Sequence, residues 1–144
     1  MDLGLKGRVA DVCDEAQVQH LVDQTVATFG KVDILVNNAG FTRDKYLVKM
    51  PMSDWDAVID TVLKGAYVVT KAALPSMMAQ KWGRVINISS RAHHGNPGQT
   101  NYSAAKAGLI GFTGAQLRAL CGHAGRRGRN HFVPGVAAGA LHHR

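Results

Sequence analysis

The 144-residue chain is poor in cysteine, in aromatic residues and, along its second half, in negative charge. Its two cysteines, Cys13 and Cys121, form no metal-binding or disulfide pattern and read as small, partly buried residues. No apolar run is long enough to span a bilayer, and the opening Met1-Asp2-Leu3-Gly4-Leu5-Lys6 is not a signal peptide. A cytoplasmic location is therefore expected. No acidic residue follows Asp60, whereas Lys64, Lys71, Lys81, Arg84, Arg91, Lys106 and a run of arginines do, giving a net charge of +7. A basic half can serve a nucleic acid or a membrane surface. No aromatic–basic interleaving and no groove-reading motif accompanies it, so neither partner is expected.

What remains has the period of a small α/β unit. The length allows one domain at most, and 46% hydrophobic residues can fill a core. Arg8 to Val12 reads as a short strand. Asp14 with Gln17 forms a capping box, and Val18, Leu21, Val22, Val26 and Phe29 recur at helical spacing. Gly30 stops that helix, and a strand over 32–37 follows. Ser53 with Asp56 reads as a second capping box, opening a long helix through Trp55, Val58, Ile59, Leu63 and Val68. Pro75 is expected to kink or restart it. Residues 84–89 form the next strand, and a last helix runs to about residue 118. Strands alternating with helices of these lengths predict a parallel, doubly wound sheet.

Three residues carry chemistry. Asn87-Ile88-Ser89-Ser90 ends a strand in hydroxyls, and the helix that follows carries Tyr102 and Lys106 at i and i+4. That spacing places phenol and ammonium on one helix face. A neighbouring cation stabilises a phenolate, and a serine hydroxyl can bond the same substrate oxygen that the phenol protonates. These are the parts for moving a proton at a carbonyl or alcohol oxygen. The spacing alone says little: Tyr67 and Lys71 share it and read as an ordinary amphipathic pair.

The second diagnostic segment is Val32-Asp33-Ile34-Leu35-Val36-Asn37-Asn38-Ala39-Gly40, an apolar strand running into Asn-Asn-Ala-Gly. With Asp11-Val12, Thr42-Arg43-Asp44, Trp55, Leu63-Lys64-Gly65, Gly83 to Ser90 and Gln99 to Thr113, the chain resembles the short-chain dehydrogenase/reductase family. Within it the resemblance is nearest to 3-oxoacyl-[acyl-carrier-protein] and acetoacetyl-CoA reductases, over roughly residues 6 to 113. The resemblance implies a Rossmann-like fold, NAD or NADP as cofactor, a ketone or acyl-thioester substrate, and a homodimer or homotetramer. It implies Tyr102 as catalytic acid/base. Lys106 would tune Tyr102 and hold the nicotinamide ribose. Ser90 would orient the carbonyl, with Ser89 as the alternative because the loop to Tyr102 is one residue shorter than in well-known relatives. Asn38, Ala39 and Gly40 would shape the cofactor pocket, and Asp11 and Val12 would flank the adenine.

Two departures qualify this. Relatives usually carry Asn where this chain has Val62, and that Asn anchors a relay water; a valine side chain forms no hydrogen bond. No Gly-x-x-x-Gly-x-Gly phosphate turn follows any strand. The fold expected is thus a partial doubly wound sheet lacking its first two strands. Strand 32–37 would then show a bare edge, and Asp11 would lie near no adenine. Residues 1–113 form the expected reductase portion. Residues 114–144 are a Gly/Ala/Arg/His-rich tail, expected to be poorly ordered and of the composition an altered reading frame of GC-rich DNA produces. Translating the other frames tests that origin. The alternatives to an active enzyme are an inactive truncated remnant and an oligomerisation or interaction module.

Overall fold

A computed structural model describes residues 10–123, and the side chains of residues up to 115. The elements run α1 (Glu15–Phe29), β1 (Ile34–Asn37), α2 (Met52–Ile59), a π-helical turn (Asp60–Lys64), α3 (Gly65–Ala79), β2 (Arg84–Asn87) and α4 (Thr100–His123). Short 3₁₀ turns lie at Leu47–Lys49 and Arg91–His94. This is a partial α/β fold, as the alternation of elements implies.

Local chemistry sets most of the ends. Asp14 caps α1, its carboxylate accepting the Ala16 and Gln17 amides at 2.9 and 3.0 Å. Gln17 reaches back to the Asp14 carboxylate at 2.8 Å and to the Asp11 amide at 3.0 Å. Gly30 ends the helix at φ +83°, where a side chain would strain the backbone, and its N–H returns to the Val26 carbonyl.

Several expectations need correction. Ala10 to Val12, the described part of the strand expected at Arg8–Val12, is a turn leading into α1, closed by the Asp14 amide on the Asp11 carbonyl at 3.1 Å. The second capping box does not form. Pro51 stands at the N-cap of α2, with its carbonyl accepting the Asp54 amide, and Ser53 lies inside the first turn. Pro75 does not break α3, which stays helical through it from Gly65 to Ala79, with the exposed ring lining an open groove between α1 and α3. The distortion of this long helical stretch comes earlier, at the π-helical turn. The last helix, expected to reach about residue 118, continues to His123. Most of the 114–144 tail lies outside the described residues.

β1 and β2 pair in parallel, Ile34 opposite Arg84 through Asn37 opposite Asn87. Leu35 and Val85 pack against Ala73 and Met77 of α3, and α1 packs on α3 through the buried Val18 and Val22. The larger apolar cluster joins Val58, Val62 and Ala66 to Ala105 and Leu109 of α4. The other face of the sheet presents Ile34 and Val36, 57% and 52% exposed. Among the described residues no third strand covers either edge.

A buried polar chain locks the ends of both strands. Asn37 Nδ2 donates to Thr70 Oγ1 at 2.9 Å and to Asn87 Oδ1 at 2.8 Å. Asn87 Nδ2 donates to Thr113 Oγ1 at 2.8 Å, and Thr113 donates on to the Leu109 carbonyl. Each buried polar atom is thereby satisfied, which removes the desolvation cost that an unpaired one carries. The chain fixes where β1 and β2 stop against α3 and α4, and so where the segments beyond them begin.

Candidate active site

β2 stops at Asn87 and the strand end grips α4 in both directions. The Lys106 ammonium donates to the Ile88 carbonyl at 2.6 Å, and Ser89 Oγ donates to the Lys106 carbonyl at 3.0 Å. Lys106 is 3% exposed, and burial lowers its proton affinity below the ordinary lysine range. Its ammonium lies 5.5 Å from the centre of the Tyr102 ring. One turn of helix therefore presents both groups together, as the i, i+4 spacing implies.

Tyr67 and Lys71 serve as an internal comparison. Their ammonium–ring distance is 5.7 Å, nearly the same. Tyr67 is exposed and Lys71 also pairs with Glu15 of α1 at 3.7 Å. Burial, not spacing, separates the two pairs: only Lys106 is held in the interior against a strand end.

The two serines divide their work. Ser89 spends its hydroxyl on the α4 backbone. Ser90 caps the 3₁₀ turn Arg91–His94, its Oγ accepting the Ala92 amide at 3.2 Å, so its own hydroxyl proton is left to donate. His93 Nδ1 donates to the Ser90 carbonyl, holding that turn against the serine.

Val12, Asn38 and Ala39 line one cleft of about 220 Å³ together with Val62, Gly65 and Val69. Gly40 sits directly on Val62: a Cβ at Gly40 would lie 3.0 Å from Val62 Cγ2. Val62 is thus a buried packing residue beneath the Asn38–Gly40 turn, placed there by the π-helical turn. Asp11 does not line the cleft. Its carboxylate accepts the Cys13 amide at 2.9 Å and it stays exposed in the turn before α1. Sequence reasoning missed the roles of Asp54 and Asn101, which bind the loop after β1 to α4. Their partners come from separate segments, so no local spacing reveals them.

Hydroxyls at a strand end and a Tyr–Lys pair on the next helix thus meet within one alternating α/β unit. The chain belongs to the short-chain dehydrogenase family, whose model matches residues 4–124. It is 45% identical to the 3-oxoacyl-[acyl-carrier-protein] reductase FabG of Thermotoga maritima, over 96% of this chain and 56% of that protein. It is 53% identical to a 3-oxoacyl-[acyl-carrier-protein] reductase of Synechocystis, over 72% of this chain and 42% of that protein. To the (2S)-[(R)-hydroxy(phenyl)methyl]succinyl-CoA dehydrogenase subunit BbsD of Thauera aromatica it is 46% identical, over 94% and 52%. The chain spans about half the length of the curated relatives it matches.

Proposed function

We propose that the chain carries the catalytic half of an NAD(P)H-dependent reductase acting on a 3-oxoacyl thioester or a similar ketone. The observation that carries the reading is the burial of Lys106 between the strand end and Tyr102. An ammonium taken from water and given a single protein carbonyl keeps N–H donors for a ligand, and a ribose hydroxyl pair suits them. The small residues Asn38, Ala39 and Gly40 beside the cleft let a flat, polar group approach the backbone closely. These residues fit the nucleoside portions of a nicotinamide cofactor. Two of the three relatives above are named as 3-oxoacyl-carrier reductases, which favours that substrate class.

The bound cofactor would supply a hydride to the carbonyl carbon. Tyr102 would give its phenolic proton to the oxygen, converting ketone to alcohol and leaving a phenolate that Lys106 stabilises. Ser90 would donate a hydrogen bond to the same oxygen, drawing charge onto it as the C=O bond opens. Proton return to Tyr102 would come from solvent by way of the Lys106 ammonium and a water, since Val62 offers no polar atom at the position where relatives carry Asn.

Fluorescence titration with NADPH and an assay with acetoacetyl-CoA test this. Submillimolar binding and turnover are expected. Tyr102→Phe should keep binding and lose turnover by about 100-fold or more. Absence of binding by the folded chain would leave the non-catalytic readings; unchanged turnover in Tyr102→Phe would remove the mechanism.

A further inference from the structure

Every residue from Asn38 to Lys49 is exposed, so the loop after β1 has no apolar anchor of its own. It is held by polar contacts that converge on one buried carboxylate. Asp54, in the first turn of α2, is 6% exposed. Arg43 donates to one of its oxygens at 2.7 Å and Lys45 to the other at 2.7 Å. Both cations are half exposed, so the carboxylate lies at the inner end of a fork.

The same loop is stitched to the start of α4. The Lys45 amide donates to the Gly98 carbonyl at 2.8 Å, and Gln99 Nε2 donates to Asp44 at 2.9 Å. Asn101 closes the arrangement and is fully buried. Its Nδ2 donates to the Arg43 carbonyl at 3.2 Å and the Asp54 carbonyl at 3.0 Å, while its Oδ1 accepts the Tyr102 amide at 2.8 Å. One side chain adjacent to Tyr102 thus contacts both the loop and α2.

The geometry points to Asp54 and Asn101 as positioning residues that lock the loop after β1 to the first turn of α4. The lock sets the height of Tyr102 against the Asn38–Gly40 segment, since Tyr102 packs on the apolar cluster that includes Val62 and Gly40 sits on Val62. Neither residue belongs to an apolar cluster of the core. Their effect on turnover rests on the reductase reading; the mechanical coupling does not.

Amide hydrogen exchange of the full chain measures the coupling directly. Asp54→Asn keeps the shape but removes the charge both cations need. Exchange should rise about tenfold or more in peptides covering 41–46 and 98–106. Peptides covering 34–37 and 84–88 should be unchanged, and Asp54→Glu should restore part of the protection. Lys45→Ala, altering a half-exposed side chain, should give a smaller rise in the same two peptides. If the chain turns over, Asp54→Asn should lower kcat about tenfold or more at unchanged KM for NADPH. Unchanged exchange over 98–106 in both variants, or an equal rise in the strand peptides, overturns the proposal. A wild-type chain that never turns over overturns only the reductase reading, because the exchange result still decides the coupling.

Discussion

Lys106 is a buried cation whose charge the fold opposes. A base with lowered proton affinity in the folded state takes up fewer protons than the unfolded chain does. Stability should therefore rise with pH between its folded pKa and the unfolded lysine value of about 10.4. Lys106→Met, which keeps the reach and removes the charge, should raise the unfolding free energy by roughly 1 kcal/mol and abolish NADPH binding. Denaturant unfolding and fluorescence titration check the two halves; a less stable variant would count against the buried-charge argument. The carboxylates act in the opposite sense. Asp54 is held below the usual range by hydrogen bonds from Arg43 and then Lys45, and Asp14 by the bonds that link it to Gln17. Their contribution is complete above an unfolded pKa of about 3.9 and is lost as pH falls through the lower folded values. Acid unfolding followed from pH 5 downward should be less steep in Asp54→Asn. Val62 gives a third test. Asn at this buried position, set against Gly40, would enclose an amide, and we expect a loss of about 1–3 kcal/mol in urea unfolding. The meeting of Tyr102 with Lys106 was legible because their i, i+4 spacing is local. The separate job of Ser89 was not, since its partner, the Lys106 carbonyl, lies on another element.

At the scale of elements, ends written in local sequence were readable. Asp14, Gln17 and Gly30 meet their partners within one turn, so α1 is recovered at both ends. Ser53 and Asp56 show the limit. Their spacing suits a capping box, yet α2 starts at Met52, with the Pro51 carbonyl accepting the Asp54 amide and the Asp54 carboxylate paired to Arg43 and Lys45 of the preceding loop. The π-helical turn at Asp60–Lys64 likewise has no local signal. It places Leu63 and Val62 against α4 and Gly40, contacts that exist only once the elements meet. The turn into β2 is limited by space. A Cβ on Gly83 would lie 2.6 Å from Met77 Cγ and 2.8 Å from Met77 Cβ, and Met77 is almost fully buried. Gly83→Ala should therefore cost about 1–3 kcal/mol and loosen the pairing of β2, as thermal unfolding would record.

At the scale of the molecule, the described helices that contact the sheet gather on one face, and the opposite face is left apolar. Ile34 and Val36 beside open strand edges form a surface prone to association. Val36→Thr with Ile34→Lys should reduce concentration-dependent light scattering without lowering the unfolding midpoint; unchanged scattering would place the association elsewhere. The alternation of strands and helices predicted this architecture, and among the described residues both strands keep an open edge. The paired residues Asn37 and Asn87 stand 50 positions apart, with no hairpin to bring them together. On a ribosome adding about 5–20 residues per second, β1 would wait several seconds for its partner to be made. During that interval, among the described elements, α1 and the nascent α2–α3 crossover can shield it. The parallel register is thus also a timetable, in which helix formation has to precede sheet formation and any delay in the crossover lengthens the exposure of an adhesive strand.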